Sequence, residues 1–169
     1  MTEYHPIEDN PEIPLNEKKK AMYEWWRAHF DLLIKSGLNL RDIGKVVLSP
    51  NLQFREGSLE FLSMLHKANI PLVIISSAGL GGDSIRLLLK RENSLYDNIH
   101  IVSNEYQWDK NGNAVEVKEP IIHSLNKNES SLKNFPFYED IKPRKNILLL
   151  GDSLGDLDIG ERVNKISEE

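Results

Sequence analysis

The chain has 169 residues, 40% apolar and 28% charged, which fits a globular domain or a small domain carrying an insertion. A net charge of −5 argues against the broad basic surface that nucleic-acid binding uses, and the absence of cysteine excludes disulfides and thiolate metal sites. No apolar run approaches the roughly 20 residues that span a bilayer, and the polar, acidic Met1–Asn10 is no secretory signal, so the expectation is a cytoplasmic protein without a membrane or nucleic-acid partner, most simply a monomer.

Pro6, Pro11 and Pro14 predict an extended or irregular start over Met1–Leu15. Met22, Trp25, Trp26, His29, Leu32 and Leu33 recur at helical spacing and predict a helix over Asn16–Ser36, which Gly37 can end in the left-handed conformation. A second helical stretch near Leu40–Leu48 stops before Ser49-Pro50. Ser58 is the expected cap of a third helix, with Leu59, Leu62 and Leu65 on one face. The texture changes at Ile70. Leu72-Val73-Ile74-Ile75 predicts a short strand buried on both faces, running into Ser76-Ser77-Ala78-Gly79. Asp83 is the expected cap of a helix through Arg91, and Ile99–Val102 is the next strand. Asn111-Gly112 marks a hairpin within Trp108–Val117. Ile147-Leu148-Leu149-Leu150 predicts another fully apolar strand, ending in Gly151-Asp152-Ser153, with a helix from about Asp156. Helices first and alternation afterwards predict an α/β fold: a mainly helical segment over 1–69, then a parallel-sheet core over 70–169 with the hairpin near 108–117.

Polar ligands of such sheets sit beyond the carboxyl ends of the strands, where the pattern places Ser77 and Asp152. Gly151-Asp152-Ser153-Leu154-Gly155-Asp156 puts two carboxylates four residues apart after an apolar run. Carboxylates there suit a hard cation such as magnesium; the plainer alternative is a turn residue followed by a helix cap. Ser77-Ala78-Gly79 offers a hydroxyl and backbone N–H groups to phosphate oxygens, or is an ordinary turn. Lys127 could offset phosphoryl charge, or be a solvated surface lysine.

The order of these stretches resembles the second, third and fourth motifs of haloacid dehalogenase-like phosphatases. The surrounding residues Pro6-Ile7-Glu8, Glu24-Trp25-Trp26, Ile70-Pro71 with Ser77-Ala78-Gly79, Val102-Ser103-Asn104, Ile122-His123 with Asn126-Lys127, and Leu149 to Asp156 are similar to those of the cytosolic 5′-nucleotidase III family, the pyrimidine 5′-nucleotidases. The resemblance implies a Rossmann-type core with a helical cap and hydrolysis of nucleoside 5′-monophosphates, pyrimidine or 7-methylguanosine. It makes Asp152 a Mg²⁺ ligand and Asp156 its support. Ser77 and Ala78 become the phosphate holders and Lys127 the charge stabiliser. Glu8 falls at the base-reading glutamate. His29 falls near another base-pocket position, or is a core histidine beside Trp25 and Trp26.

One departure stands out. The family nucleophile and general acid come from an Asp-x-Asp strand ahead of the cap, and nothing before Glu8 supplies it; relatives also continue beyond Asp156. The expected sheet is therefore incomplete, with a gap between the strands ending at Ser77 and Asp152, and these residues alone are expected to turn over little or no substrate. A lipase-like use of Ser153 in Gly151-Asp152-Ser153-Leu154 needs a histidine base downstream, and no histidine follows Leu154. Two rivals stay open: a phosphatase of the same superfamily with another substrate, and a catalytically dead nucleotide-binding or interaction fragment.

Overall fold

The structure is a computed structural model that describes residues 4–127 and 132–151. The chain divides into two compact units, Trp26–Ile121 and the flanking Met1–Trp25 with Ile122–Glu169. Helix α1 (His5–Asp9) opens the described residues, where an irregular segment was expected. Pro6 sits in its first turn, where backbone N–H groups have no intrahelical acceptor, so proline removes no bond. The helix stops at extended Asn10, the residue before Pro11. Tyr4 stacks on Trp25 with ring centroids 5.9 Å apart.

Helix α2 (Leu15–Lys35) follows the apolar spacing closely and ends at Gly37, φ +78°. Leu38 N–H bonds the Leu33 carbonyl and Gly37 N–H that of Ile34, the paired bonds of a Schellman stop. Helix α3 (Leu40–Val47) begins with a reciprocal capping box between Asn39 and Asp42. Helix α4 (Ser58–Lys67) is not capped by Ser58: left-handed Gly57 (φ +79°) holds the cap position, and Ser58 is already helical. Arg91 ties these elements down by donating to the carbonyls of Val47 and Leu52.

Strand β1 (Leu72–Ser76), helix α5 (Gly82–Arg91) and strand β2 (Ile99–Ser103) form a βαβ unit. The two strands pair in parallel from Leu72 opposite Ile99 to Ser76 opposite Ser103. Leu62, Leu89 and Ile99 form the core beneath them, with Leu72 and Ile74 packed against it. β1 is half-buried throughout rather than enclosed on both faces, because among the described residues it has a neighbour on one edge only. Asp83 lies in the first turn of α5 and not at its cap, which Gly81 occupies. Its carboxylate instead accepts from the Trp108 indole N–H at 2.8 Å and from Arg86 at 3.4 Å.

Strands β3 (Tyr106–Trp108) and β4 (Ala114–Val117) form the antiparallel hairpin around Asn111-Gly112. The Asp109 carboxylate organises the loop by accepting from the Asn111 and Asn113 N–H groups, each at 2.8 Å. A second core gathers here: Phe30, Tyr106, Ala114, Val117 and Ile121. The one-turn helix α6 (Tyr138–Ile141) was not anticipated.

Ile147–Leu150, expected as a buried strand, is irregular, with Leu148 76% exposed and Leu150 68% exposed. A strand needs a ladder partner for its N–H and C=O groups, and the parallel sheet of the described residues consists of β1 and β2 alone. No described helix is long and apolar enough to cross a membrane.

Candidate phosphate-holding turn

The parallel pairing of β1 with β2 ends at Ser76, and the chain then turns through Ser77-Ala78-Gly79-Leu80 into α5. The Gly81 N–H donates to the Ala78 carbonyl at 3.0 Å and closes the turn. The Gly82 N–H donates to the Asn104 carbonyl at 2.8 Å, and the Ser84 hydroxyl to the Gly81 carbonyl at 2.7 Å. No acceptor among the described residues takes the N–H of Ser77, Ala78, Gly79 or Leu80. A run of unclaimed backbone donors beyond a parallel strand, with a serine hydroxyl at its head, has the chemistry of an anion cradle.

Two aromatic side chains fix this turn. The Tyr106 hydroxyl donates to the Gly79 carbonyl at 2.8 Å. On the other side lies His29 of α2: a Cβ at residue 79 would stand 2.6 Å from His29 Nε2. The His29 ring packs edge-on against Trp26 and Phe30, and its buried Nε2 has no hydrogen-bond partner. Of the residues singled out in the sequence, Ser77, Ala78 and His29 thus share one unit and meet around Gly79.

Glu8 and Lys127 belong to the other unit. Glu8 is half-buried on α1, one helical turn from Tyr4, whose carbonyl its N–H reaches at 3.1 Å. Lys127 follows a small, tightly bonded turn. The His123 N–H donates to Asn126 Oδ1 at 2.7 Å, the Asn126 N–H to the His123 carbonyl at 3.2 Å, and the Leu125 N–H to His123 Nδ1 at 3.3 Å. Burial first, and the charge of Lys19 second, push the His123 pKa down to about 4, so the ring is neutral near pH 7. Nδ1 then accepts and Nε2 carries the proton.

Asp152 and Asp156 lie outside the described residues, as does the helix expected from Asp156. Among the described residues no group of three or more acidic, His or Cys side chains could hold a metal. The Asp152/Asp156 pair offers oxygen donors only, which fits magnesium by chemistry.

Sequence reasoning missed Tyr106, whose hydroxyl partner is a backbone carbonyl 27 residues away and leaves no local signal. It also passed over His123 and Asn126 as working parts of the turn, although a short amide side chain three residues after a bonded backbone group is a turn signal.

The sequence pattern of the pyrimidine 5′-nucleotidase (UMPH-1) family matches residues 1–169. The chain belongs to that family. The chicken (Gallus gallus) protein named 7-methylguanosine phosphate-specific 5′-nucleotidase is 36% identical over 163 residues, covering 96% of this chain and 56% of its own. The human (Homo sapiens) protein of the same name is 36% identical over 160 residues, covering 95% and 53%. A crystal structure of cytosolic 5′-nucleotidase IIIB bound to cytidine superposes with a TM-score of 0.77 at 29% identity, covering 94% of this chain and 52% of that one. The chain spans about half the length of the curated relatives it matches. The α/β arrangement of haloacid dehalogenase-like type, expected from the motifs, is that of this cytosolic 5′-nucleotidase neighbour.

Proposed function

We propose that this chain carries the phosphate-holding part of a magnesium-dependent 5′-nucleotidase, which hydrolyses pyrimidine or 7-methylguanosine nucleoside 5′-monophosphates to nucleoside and phosphate. The observation that carries the proposal is the turn after β1, where the N–H groups of Ser77 and the three residues after it, unclaimed among the described residues, stand at the carboxyl end of a parallel strand. The family match and the names of the relatives supply the substrate class.

In this proposal the Ser77 hydroxyl and the Ala78 N–H hold phosphate oxygens, and the Lys127 ammonium offsets their charge. Asp152, supported by Asp156, would hold Mg²⁺, which when bound draws charge from the phosphoryl oxygens. Glu8, or His29 as a second candidate, would read the base; a carboxylate can accept from the exocyclic amine of cytosine. A cytosolic location belongs to the same proposal, in keeping with the neighbour's name.

Calorimetry of the 169-residue chain with CMP, UMP and 7-methylguanosine monophosphate, with and without magnesium, tests this. Binding strengthened by magnesium and weakened about tenfold by Ser77→Ala is expected, from the loss of a hydrogen bond to a charged group. No binding to any of the three sinks the proposal. Phosphate release is expected to be negligible, because the first eight residues contain no Asp-x-Asp pair. The rival of a catalytically dead binding module shares that last property. The reading frame upstream of Met1 separates them: an Asp-x-Asp segment there would support the nucleotidase, and its absence with CMP binding retained would leave a binding module.

A further inference from the structure

We infer that Tyr106 is a positioning residue for the phosphate-holding turn: by gripping the Gly79 carbonyl it aims the opposite end of the same peptide unit, the Leu80 N–H, outward toward an incoming anion. The inference rests on the phosphate role proposed for Ser77–Leu80.

The geometry is direct. A trans peptide is planar, with its C=O and N–H pointing in opposite directions. Fixing the Gly79 oxygen on the Tyr106 hydroxyl at 2.8 Å therefore fixes the direction of the Leu80 N–H. That N–H has no acceptor among the described residues. Glycine at 79 has little intrinsic preference to hold this orientation, so an external grip is needed. Tyr106 can supply one because it is itself immobile. It is 4% exposed, its ring packs edge-on against Phe30 and lies against Trp108, and its edge stands 3.2 Å from where a Cβ of Gly81 would be. Burial pushes its phenol pKa up, so the hydroxyl stays a donor wherever the protein is folded. The hairpin thereby gains a role: β3 carries the residue that orients a turn belonging to the βαβ unit.

The test is calorimetric binding of inorganic phosphate, with magnesium, to the 169-residue chain and its variants, with thermal unfolding in parallel. Tyr106→Phe keeps the ring and deletes the donor, and it should weaken phosphate about fivefold, the worth of roughly one hydrogen bond. Replacing Tyr106 by para-aminophenylalanine restores a donor and should restore affinity. Ile99→Val loosens the separate core beneath the parallel strands without touching the hydroxyl or the rings that hold it, and should lower the unfolding temperature while leaving affinity within twofold. If Tyr106→Phe binds phosphate as the parent does while Ser77→Ala does not, the positioning role is overturned and the phosphate role stands. If the unmutated chain binds no phosphate, both fall. If Tyr106→Phe fails to fold, the para-amino variant decides: affinity retained supports the inference, and affinity lost in a folded variant overturns it.

Discussion

Gly81→Ala is expected to lower the free energy of unfolding by about 3 kcal/mol and to abolish phosphate binding at millimolar ligand. Gly81 has φ +74° and ψ 173°, a backbone region that costs any other residue about 1–3 kcal/mol. The added Cβ would also stand 3.0 Å from the Asn104 carbonyl oxygen and 3.2 Å from the Tyr106 ring. The first obstacle is backbone, and the second is a ring locked by Phe30, so neither yields cheaply. The strain can be relieved by rotating the peptides between Ala78 and Gly82, which breaks the Gly81–Ala78 bond and scatters the N–H groups of the turn. Urea unfolding and phosphate calorimetry on the same sample check both halves. A loss under 1 kcal/mol with unchanged phosphate affinity would show that the turn tolerates a side chain and has no special conformation.

Acidification from pH 7.5 to pH 5 is expected to cost about 2 kcal/mol of stability through His123 alone. The sign follows from its lowered pKa. An unfolded histidine titrates near 6.5, whereas the folded His123 does so at about 4, because burial and then Lys19 disfavour its charged form. Between these values the unfolded chain binds the extra proton, so the stabilisation is complete above pH 6.5 and drains away as pH falls toward 4. Protonation would also cost Nδ1 the Leu125 N–H it accepts at 3.3 Å, loosening the turn that leads to Lys127. The carboxylates of Asp42, Asp109 and Glu105 lose their stabilising partners only at lower pH. Burial tends to raise Glu105, but Arg86 at 2.6 Å and Lys118 at 3.1 Å hold it below the ordinary carboxylate range. The comparison of pH 7.5 with pH 5 therefore leaves those three carboxylates aside, and the His123 variant assigns the drop. Urea unfolding at the two pH values should show the drop in the parent chain and little of it in His123→Gln. An equal drop in both would assign it elsewhere.

What was legible in the sequence was whatever a local pattern specifies. The apolar stripe from Met22 to Leu33 and the glycine after it define α2 and its stop, since both the buried face and the left-handed terminus are written within a few residues. The βαβ unit was legible from two apolar runs separated by a helical stretch, and the hairpin from Asn111-Gly112. Helix starts were not. Ser58 and Asp83 have the side chains of caps, but the glycines before them hold the cap positions, because only the backbone angle decides which residue is already helical. Pro6 suggested irregular chain because proline disfavours helices everywhere except the first turn, which is where it sits. Ile147–Leu150 misled for another reason: an apolar run reports a preference for burial and says nothing about whether a pairing strand is at hand. Of the site, Ser77 and Ala78 were legible as the end of a strand. The grip on Gly79 was not, since it depends on His29 and Tyr106 arriving from distant parts of the chain.

Under the proposed function, the Ser77 turn, the Lys127 ammonium and the Asp152 carboxylate would act on one phosphate and its cation. The most direct measurement is NMR of the isotope-labelled 169-residue chain titrated with CMP and magnesium, then with manganese as a paramagnetic substitute. Phosphate is expected to shift the Ser77–Leu80 amides and the Lys127 Nζ resonance at a common dissociation constant, and manganese to broaden Asp152 and the Ser77 turn together. Shifts confined to one of these segments, or broadening at Asp152 that leaves the Ser77 turn sharp, would contradict the account.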